Sequence, residues 1–266
     1  MKRLQDVQSH DALDLYYPTM CEVKDARQIT DMEKWYELKM PEGADLGHTP
    51  GQFVEVSAFG IGEAPISVSS SPSKKGSFEL CIRQVGTLTN VLKSYEKGAR
   101  LGIRGPFGKG YPMEKMFGKD ILIVAGGIGL VPLRSLINFV LDNRKEFGRL
   151  VILYGAKTPS ELLFKEEIAE WTARDDVELH LTVDQPDETW TGNTGVITTL
   201  IPALDLKLNT TIAAITGPPV MYKFVVMALK SKQLPDDQIY LSLERRMKCG
   251  VGKCGHCQIN GVYCCQ

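Results

Sequence analysis

The chain has 266 residues, with 31 Lys plus Arg against 32 Asp plus Glu and a formal net charge of −1. That balance gives no electrostatic reason to expect a nucleic acid or an anionic membrane as partner, and no apolar run approaches the ~18 residues of a membrane span. The length is enough for two domains that each bury a core.

The opening stretch MKRLQDVQSHDALDLYY has no apolar centre of the kind a secretion signal needs. Residues 1–16 are expected to form an N-terminal extension. Seven cysteines are present, and only Cys21 and Cys81 lie outside the final segment. Such bunching suits a reducing cytoplasm better than a secreted disulfide framework.

Residues 17–112 alternate apolar and polar positions over short runs: MCEVKDARQI, KWYELKM, QFVEVSAF, PISVSS, SFELCIRQV and RLGIRG. The turn-forming stretches PEGADLGHTPG, GIGEA and SPSKKGS separate them. Six such runs predict a small antiparallel barrel. One interruption, TLTNVLKSYEKG, has helical spacing, with Leu88, Val91, Leu92 and Tyr95 on one face. It opens at Val85, Gly86 and Thr87, where free N–H groups and the helix dipole favour an anion. An ordinary helix capped by Thr87 would look the same in this stretch alone.

The order of the motifs narrows the reading. GQFV at 51–54, APISVSS at 64–70, IRQVGTLTNVL at 82–92 and GPFGKGY at 105–111 together resemble the flavin-binding barrel of the ferredoxin–NAD(P) reductase superfamily. The likeness is to the branch containing dihydroorotate dehydrogenase electron-transfer subunits, sulfhydrogenase gamma subunits and the B subunit of anaerobic sulfite reductase. It implies that Ala64, Pro65, Ile66 and Ser67 line FAD. It also places Arg83 near the flavin phosphates or ribityl chain, and Gly86, Thr87 and Thr89 at the pyrophosphate. The superfamily's Arg-x-Tyr-Ser/Thr motif is altered, with Ala64 and Ile66 standing where the Arg and Tyr would be. FAD is expected over FMN because a phosphate-binding helix start at 86–89 suits a dinucleotide.

Residues 113–238 change to strands alternating with helices, the pattern of a doubly wound parallel sheet whose ligands bind at the carboxyl ends of the strands. ILIVA runs into the turn Gly126, Gly127, Ile128, Gly129 and on to Pro132, which opens a helix with Leu133, Leu136, Ile137 and Val140 on one face. TIAAI runs into a second turn containing Gly217, Pro218 and Met221. Glycines let backbone N–H groups approach a pyrophosphate, and both turns should share one sheet edge. The resemblance implies that Gly126, Gly127, Gly129, Pro132, Gly217, Pro218 and Met221 flank NAD(P). The stretch TPSELLFKEE after the second strand is acidic and leans toward NAD. No Ser–His–Asp or paired-carboxylate constellation stands out, and hydride chemistry needs none, since it belongs to the cofactors.

Residues 239–266 end in CGVGKCGHCQINGVYCCQ. Cys249, Cys254 and Cys257 have C-x4-C-x2-C spacing, and a fourth sulfur follows from Cys264 or Cys265, the plant-type pattern for a [2Fe–2S] cluster. Gly250, Gly252 and Gly255 allow a tight wrap, while Arg245, Arg246, Lys248 and Lys253 offset the thiolate charge. Structural zinc usually takes two paired cysteine hooks, and one is present. Relatives usually carry a single cysteine after an apolar residue, which makes Cys265 the fourth ligand by resemblance. The chain is therefore expected to be an electron-transfer (diaphorase) subunit between NAD(P)H, FAD and a [2Fe–2S] cluster. It would serve partner subunits of a larger complex such as a hydrogenase, heterodisulfide reductase or sulfite reductase. The runner-up is the electron-transfer subunit of dihydroorotate dehydrogenase, whose relatives usually have a longer spacer before the fourth cysteine. A non-catalytic zinc-binding assembly subunit is the contrasting alternative, and the intact glycine turns weigh against it.

Overall fold

A computed structural model describes residues 15–266, so nearly all of the expected extension at 1–16 lies outside the described residues. Strands β1 (Thr19–Gln28), β2 (Glu33–Lys39), β3 (Phe53–Ala58), β4 (Gly62–Ser67), β5 (Ser77–Arg83) and β6 (Arg100–Phe107) form one antiparallel sheet. Their order is β4-β3-β6-β1-β2-β5. A bridge between Val68 and Leu80 joins the two ends of that order and closes the barrel. Inward residues such as Val54, Val56, Leu80 and Ile103 build its core.

Two details depart from the sequence pattern. β4 begins inside GIGEA, expected as a turn, because Ile61 N–H bonds Ala58 O at 3.1 Å and Glu63 already pairs with Ser57. The helix α1 (Thr87–Leu92) stops well short of Gly98 and buries only Leu88 and Leu92. The backbone beyond it is used elsewhere: Gly98 N–H bonds Val23 O at 2.8 Å, and Val23 N–H bonds Ala99 O at 2.8 Å. Bonds to β1 outcompete further helical turns.

After the short helix α2 (Met113–Met116), the α/β half runs β7 (Asp120–Gly126), α3 (Leu130–Asp142), β8 (Leu150–Ala156), α4 (Lys165–Thr172) and β9 (Val177–Val183). It continues through β10 (Asn193–Thr194), β11 (Thr211–Thr216), α5 (Pro219–Ser231) and β12 (Ile239–Leu241). All six strands are parallel, ordered β10-β9-β8-β7-β11-β12. The chain moves outward from β7 and then returns to β11 on the other side. The switch point, where open parallel sheets bind ligands, therefore lies between β7 and β11. α3 and α4 cover one face, and α5 with the turn Ile197–Ala203 covers the other. The stretch ELLFKEEIAEW, residues 161–171, has the pattern of one helix, but α4 starts only at Lys165. Leu162, Leu163 and Phe164 are buried outside it, with Phe164 at φ 52° and Leu163 N–H bonded to the Tyr154 hydroxyl at 3.1 Å.

The two halves share a core, since Trp35, Cys81 and Tyr111 pack with the α3 side of the sheet. Arg134 on α3, 7% exposed, locks them together. Its guanidinium reaches Glu79 on β5 at 2.6 Å, the Ser69 carbonyl at 3.1 Å and Glu167 on α4 at 2.7 Å. No described helix is long and apolar enough to cross a membrane. The chain ends in a small hairpin, β13 (Gln258–Ile259) and β14 (Val262–Tyr263), folded back onto the barrel.

Candidate functional site

The barrel closes only beyond β4, at Val68, and over Gly62–Ser67 β4 pairs with β3 alone, so the other side of its backbone is open to a ligand. Ala64, Pro65, Ile66 and Ser67 are half-buried along it, with Ala64 and Ile66 leaning on the barrel core. Arg83 ends β5 with its Nε held by Glu33, and its side chain remains 37% exposed. At the start of α1 the Thr89 hydroxyl accepts N–H bonds from Val85 at 3.0 Å and Gly86 at 2.9 Å. Two amides that the sequence suggested were free for an anion are thus bonded within the turn.

The two glycine turns come together. Ala125 of β7 pairs with Thr216 of β11, so the turns leave neighbouring strand ends side by side. A Cβ on Gly126 would meet the Met221 sulfur at 2.6 Å, and one on Gly217 would stand 2.4 Å from the Met221 methyl. Met221 thereby explains the absence of side chains at both positions. At Gly129 a Cβ would lie 2.3 Å from Thr216 O and 2.9 Å from Gly217 N, both rigid backbone. Gly129→Ala is therefore expected to push the turns apart, costing about 2 kcal/mol of stability, as overpacking does, and weakening NADH binding. Urea unfolding and NADH titration check this; unchanged values for both would refute the close approach.

Beside the turns, the Tyr111 hydroxyl and the Thr216 Oγ1 are buried with no hydrogen-bond partner. Unpaired buried polar atoms are costly, and Thr216 is the residue that leads into the second glycine turn. No local signal in the sequence marks them.

The cysteine segment packs on the outer face of the barrel. Phe53 and Phe107, with ring centroids 5.9 Å apart, form a cluster with the buried Cys257 and Cys265. Gly250, at φ 72°, has no room for a Cβ because the Phe107 ring would lie 2.6 Å away. Cys257 and Cys265 sulfurs are 3.4 Å apart, and Cys265 Sγ also accepts the Gly252 N–H at 3.2 Å. Cys249 Sγ accepts N–H bonds from Lys253 at 3.3 Å and Cys254 at 3.4 Å. Burial pushes the Cys249 thiol up, but the backbone N–H groups of Val251, Cys254 and Lys253, with the Cys254 side chain, bring it down to about 6. Cys264 is half-buried, and its sulfur takes no part in these bonds. None of the seven cysteines forms a disulfide.

Among the described residues no three His, Cys, Asp or Glu side chains converge on a point that one ion could occupy. The Cys257 and Cys265 sulfurs form one close pair, and Cys254 meets Cys249 Sγ through its backbone N–H on the same glycine-rich loop. Four cysteine sulfurs carried by one glycine-rich loop and the turn that follows it are the donor set that a [2Fe–2S] cluster takes.

The covering segment buries two charged side chains that the alternating strand pattern would place in water. Glu55 is 0% exposed, pairs across the strands with Pro65 of β4 and Arg104 of β6, and neither carboxylate oxygen has a partner. Burial, reinforced by Glu63 and Cys249 against the opposing Arg104, raises its carboxyl to about 7. Arg104 itself is 6% exposed.

Comparison with known proteins agrees with this layout. The chain matches the oxidoreductase FAD-binding domain over residues 20–111 and the oxidoreductase NAD-binding domain over residues 123–227. It is 37% identical over 248 residues to sulfhydrogenase 2 subunit gamma of Pyrococcus furiosus, covering 88% of this chain and 85% of that one. It is 32% identical over 238 residues to the dihydroorotate dehydrogenase B (NAD(+)) electron transfer subunit of Bacillus caldolyticus, covering 87% and 86% respectively. Its fold is similar to that of the cytochrome b5 reductase domain of Ulva prolifera nitrate reductase, with a TM-score of 0.73, 20% identity, and 85% and 98% of the two chains covered. With an antiparallel flavin-type barrel, a parallel nucleotide sheet and these relatives, the chain belongs to the ferredoxin reductase-like FAD- and NAD-binding oxidoreductases, in the branch of sulfhydrogenase gamma and dihydroorotate dehydrogenase electron-transfer subunits.

Proposed function

We propose that the chain is the electron-transfer subunit of a larger redox complex, linking NAD(P)H to a partner through FAD and a [2Fe–2S] cluster. Residues 17–112 hold FAD, 113–238 hold the nucleotide, and 239–266 hold the cluster through Cys249, Cys254, Cys257 and Cys265. The observation that carries the reading is the docking of the paired cysteines on Phe53 and Phe107, on the barrel whose strand β4 carries the flavin-type motif. When bound, the flavin supplies the exchange between hydride and single electrons, and the cluster supplies one-electron storage.

The protein's own part is positional. The glycine turns bring backbone donors to the nucleotide phosphates. Pro65 and Ile66 offer an apolar wall that keeps water from the ring. The N–H groups of Lys253, Cys254 and Gly252 stabilise thiolate charge at Cys249 and Cys265. Exposed Cys254 marks the side from which a partner would take electrons. A hydrogenase-type partner is favoured by the 37% identity to a sulfhydrogenase gamma subunit and by the short spacer between Cys257 and Cys265. NAD is favoured over NADP because the turn after β8 is closed on itself by Thr158, Ser160 and Glu161 and carries an acid. A reducing cytoplasm suits a chain whose cysteines form no disulfide.

Anaerobic purification tests the whole reading. Expected are flavin bands that release FAD in acid, iron with acid-labile sulfide, and viologen reduction faster with NADH than with NADPH. Released FMN overturns the dinucleotide assignment, and absence of sulfide removes the cluster. A colourless, zinc-containing protein restores the scaffold alternative.

A further inference from the structure

Between the flavin strand and the cysteine loop lies a partly buried ion pair, its guanidinium enclosed and its carboxylate reaching solvent. Arg104 on β6 donates Nε and Nη2 to the two carboxylate oxygens of Glu63 at 2.8 and 2.6 Å. The same guanidinium donates Nη1 to the carbonyls of Leu15 at 2.9 Å and Cys249 at 3.3 Å, and Nη2 to the Lys248 carbonyl at 3.4 Å. Glu63 belongs to β4, directly before Ala64. Lys248 and Cys249 begin the cysteine loop. The Phe107 ring lies 5.4 Å below the guanidinium. One planar fork thus joins three segments that are far apart in sequence.

The direction of these bonds matters. The Lys248 and Cys249 carbonyls point to Arg104, which orients the peptide planes entering the loop. In the turn that follows, the Lys253 and Cys254 N–H groups point at Cys249 Sγ. A flat donor with five N–H groups can hold a bidentate carboxylate and carbonyls together, and a lysine ammonium cannot reproduce that geometry.

We propose that Arg104, braced by Glu63, is the positioning residue of the electron-exit loop: it fixes the Cys249 turn to flavin strand β4 and aims the loop's N–H donors at the Cys249 sulfur. The proposal rests on the assignment of this loop to a cluster under the proposed function. It goes further by naming what sets the loop's geometry. Because outer bonds of this kind tune a metal centre, loss of the fork is expected to lower the cluster's reduction potential as well as to free the loop.

The test compares wild type, Arg104→Met and Arg104→Lys by amide hydrogen exchange and by redox titration of the cluster. In Arg104→Met, exchange at Gly252, Lys253 and Cys254 should rise roughly tenfold or more, as loss of charge-assisted bonds implies, while amides of β7 and β8 keep their wild-type rates. The cluster potential should fall, and Arg104→Lys should recover only part of both effects. Unchanged loop exchange in Arg104→Met overturns the proposal, as does equal acceleration in β7 and β8, which would mean general loosening. If Arg104→Met does not fold, Glu63→Gln, on the more exposed partner, is read at the same loop amides: faster exchange confined to the loop supports the proposal, and unchanged or general exchange overturns it. If wild type holds no iron and sulfide, the cluster assignment fails. The exchange comparison on the metal-free chain still decides whether Arg104 holds the loop.

Discussion

Cys265→Ser is expected to leave a chain that binds flavin and nucleotide but holds no stable cluster, whereas Cys264→Ser should retain its full iron and sulfide. Cys265 is 3% exposed, sits 3.4 Å from Cys257 Sγ and accepts the Gly252 N–H. Cys264, its neighbour in the turn closed by Gln266 N–H on Tyr263 O, is half-buried and its sulfur bonds no other sulfur. NADH-driven reduction of a one-electron acceptor through the cluster should fall in Cys265→Ser by more than the ~10–100-fold that outer-shell changes alone produce. Iron analysis and the visible spectrum check the assignment. A full cluster in Cys265→Ser with loss in Cys264→Ser would reverse it.

Glu55→Gln is expected to stabilise the protein at alkaline pH and to do nothing at acid pH. The carboxyl is raised from 4.5 to about 7 in the folded chain by burial, with Glu63 adding to the effect. For a raised acid, the folded state holds its proton where the unfolded chain has already released it. Its contribution to stability is therefore full below the unfolded value, declines as pH rises between about 4.5 and 7, and is flat above. The shift corresponds to roughly 3 kcal/mol lost across that window. Glutamine keeps the shape and carries no charge, so the difference between variant and wild type isolates this one group from all other titrations. Urea midpoints at pH 4.5 and pH 8 supply the measurement. Equal gains at both pH values would mean that Glu55 titrates alike in the folded and unfolded chain and that its carboxyl is not raised.

Local pattern carried much of the architecture. Period-two alternation marked the six barrel strands, and buried apolar runs ending in glycine marked β7 and β11. It was less informative where backbone bonds were claimed by distant partners. α1 is short because β1 takes the backbone at Gly98. α4 starts late because Tyr154 holds Leu163. The glycines of both nucleotide turns were legible as turn formers. That Met221 also fills the space at Gly126 was not, because that contact joins residues about 95 positions apart.

The sequence by itself determined the cysteine spacing, the order of motifs and hence the family, since each of these is a matter of residue type and local separation. It left two matters to the tertiary structure. The first is which terminal cysteine is buried beside Cys257, because the turn after the hairpin puts Cys265 inside the Phe53 and Phe107 cluster and leaves Cys264 only partly covered by it. The second is the fate of Glu55 and Arg104, which alternation assigns to the solvent face of their strands. The final segment, some 145 residues beyond Arg104, covers that face and turns two surface charges into a buried row beside Cys249. A strand's own pattern reports which face meets the barrel core; only long-range docking reports whether the other face meets water.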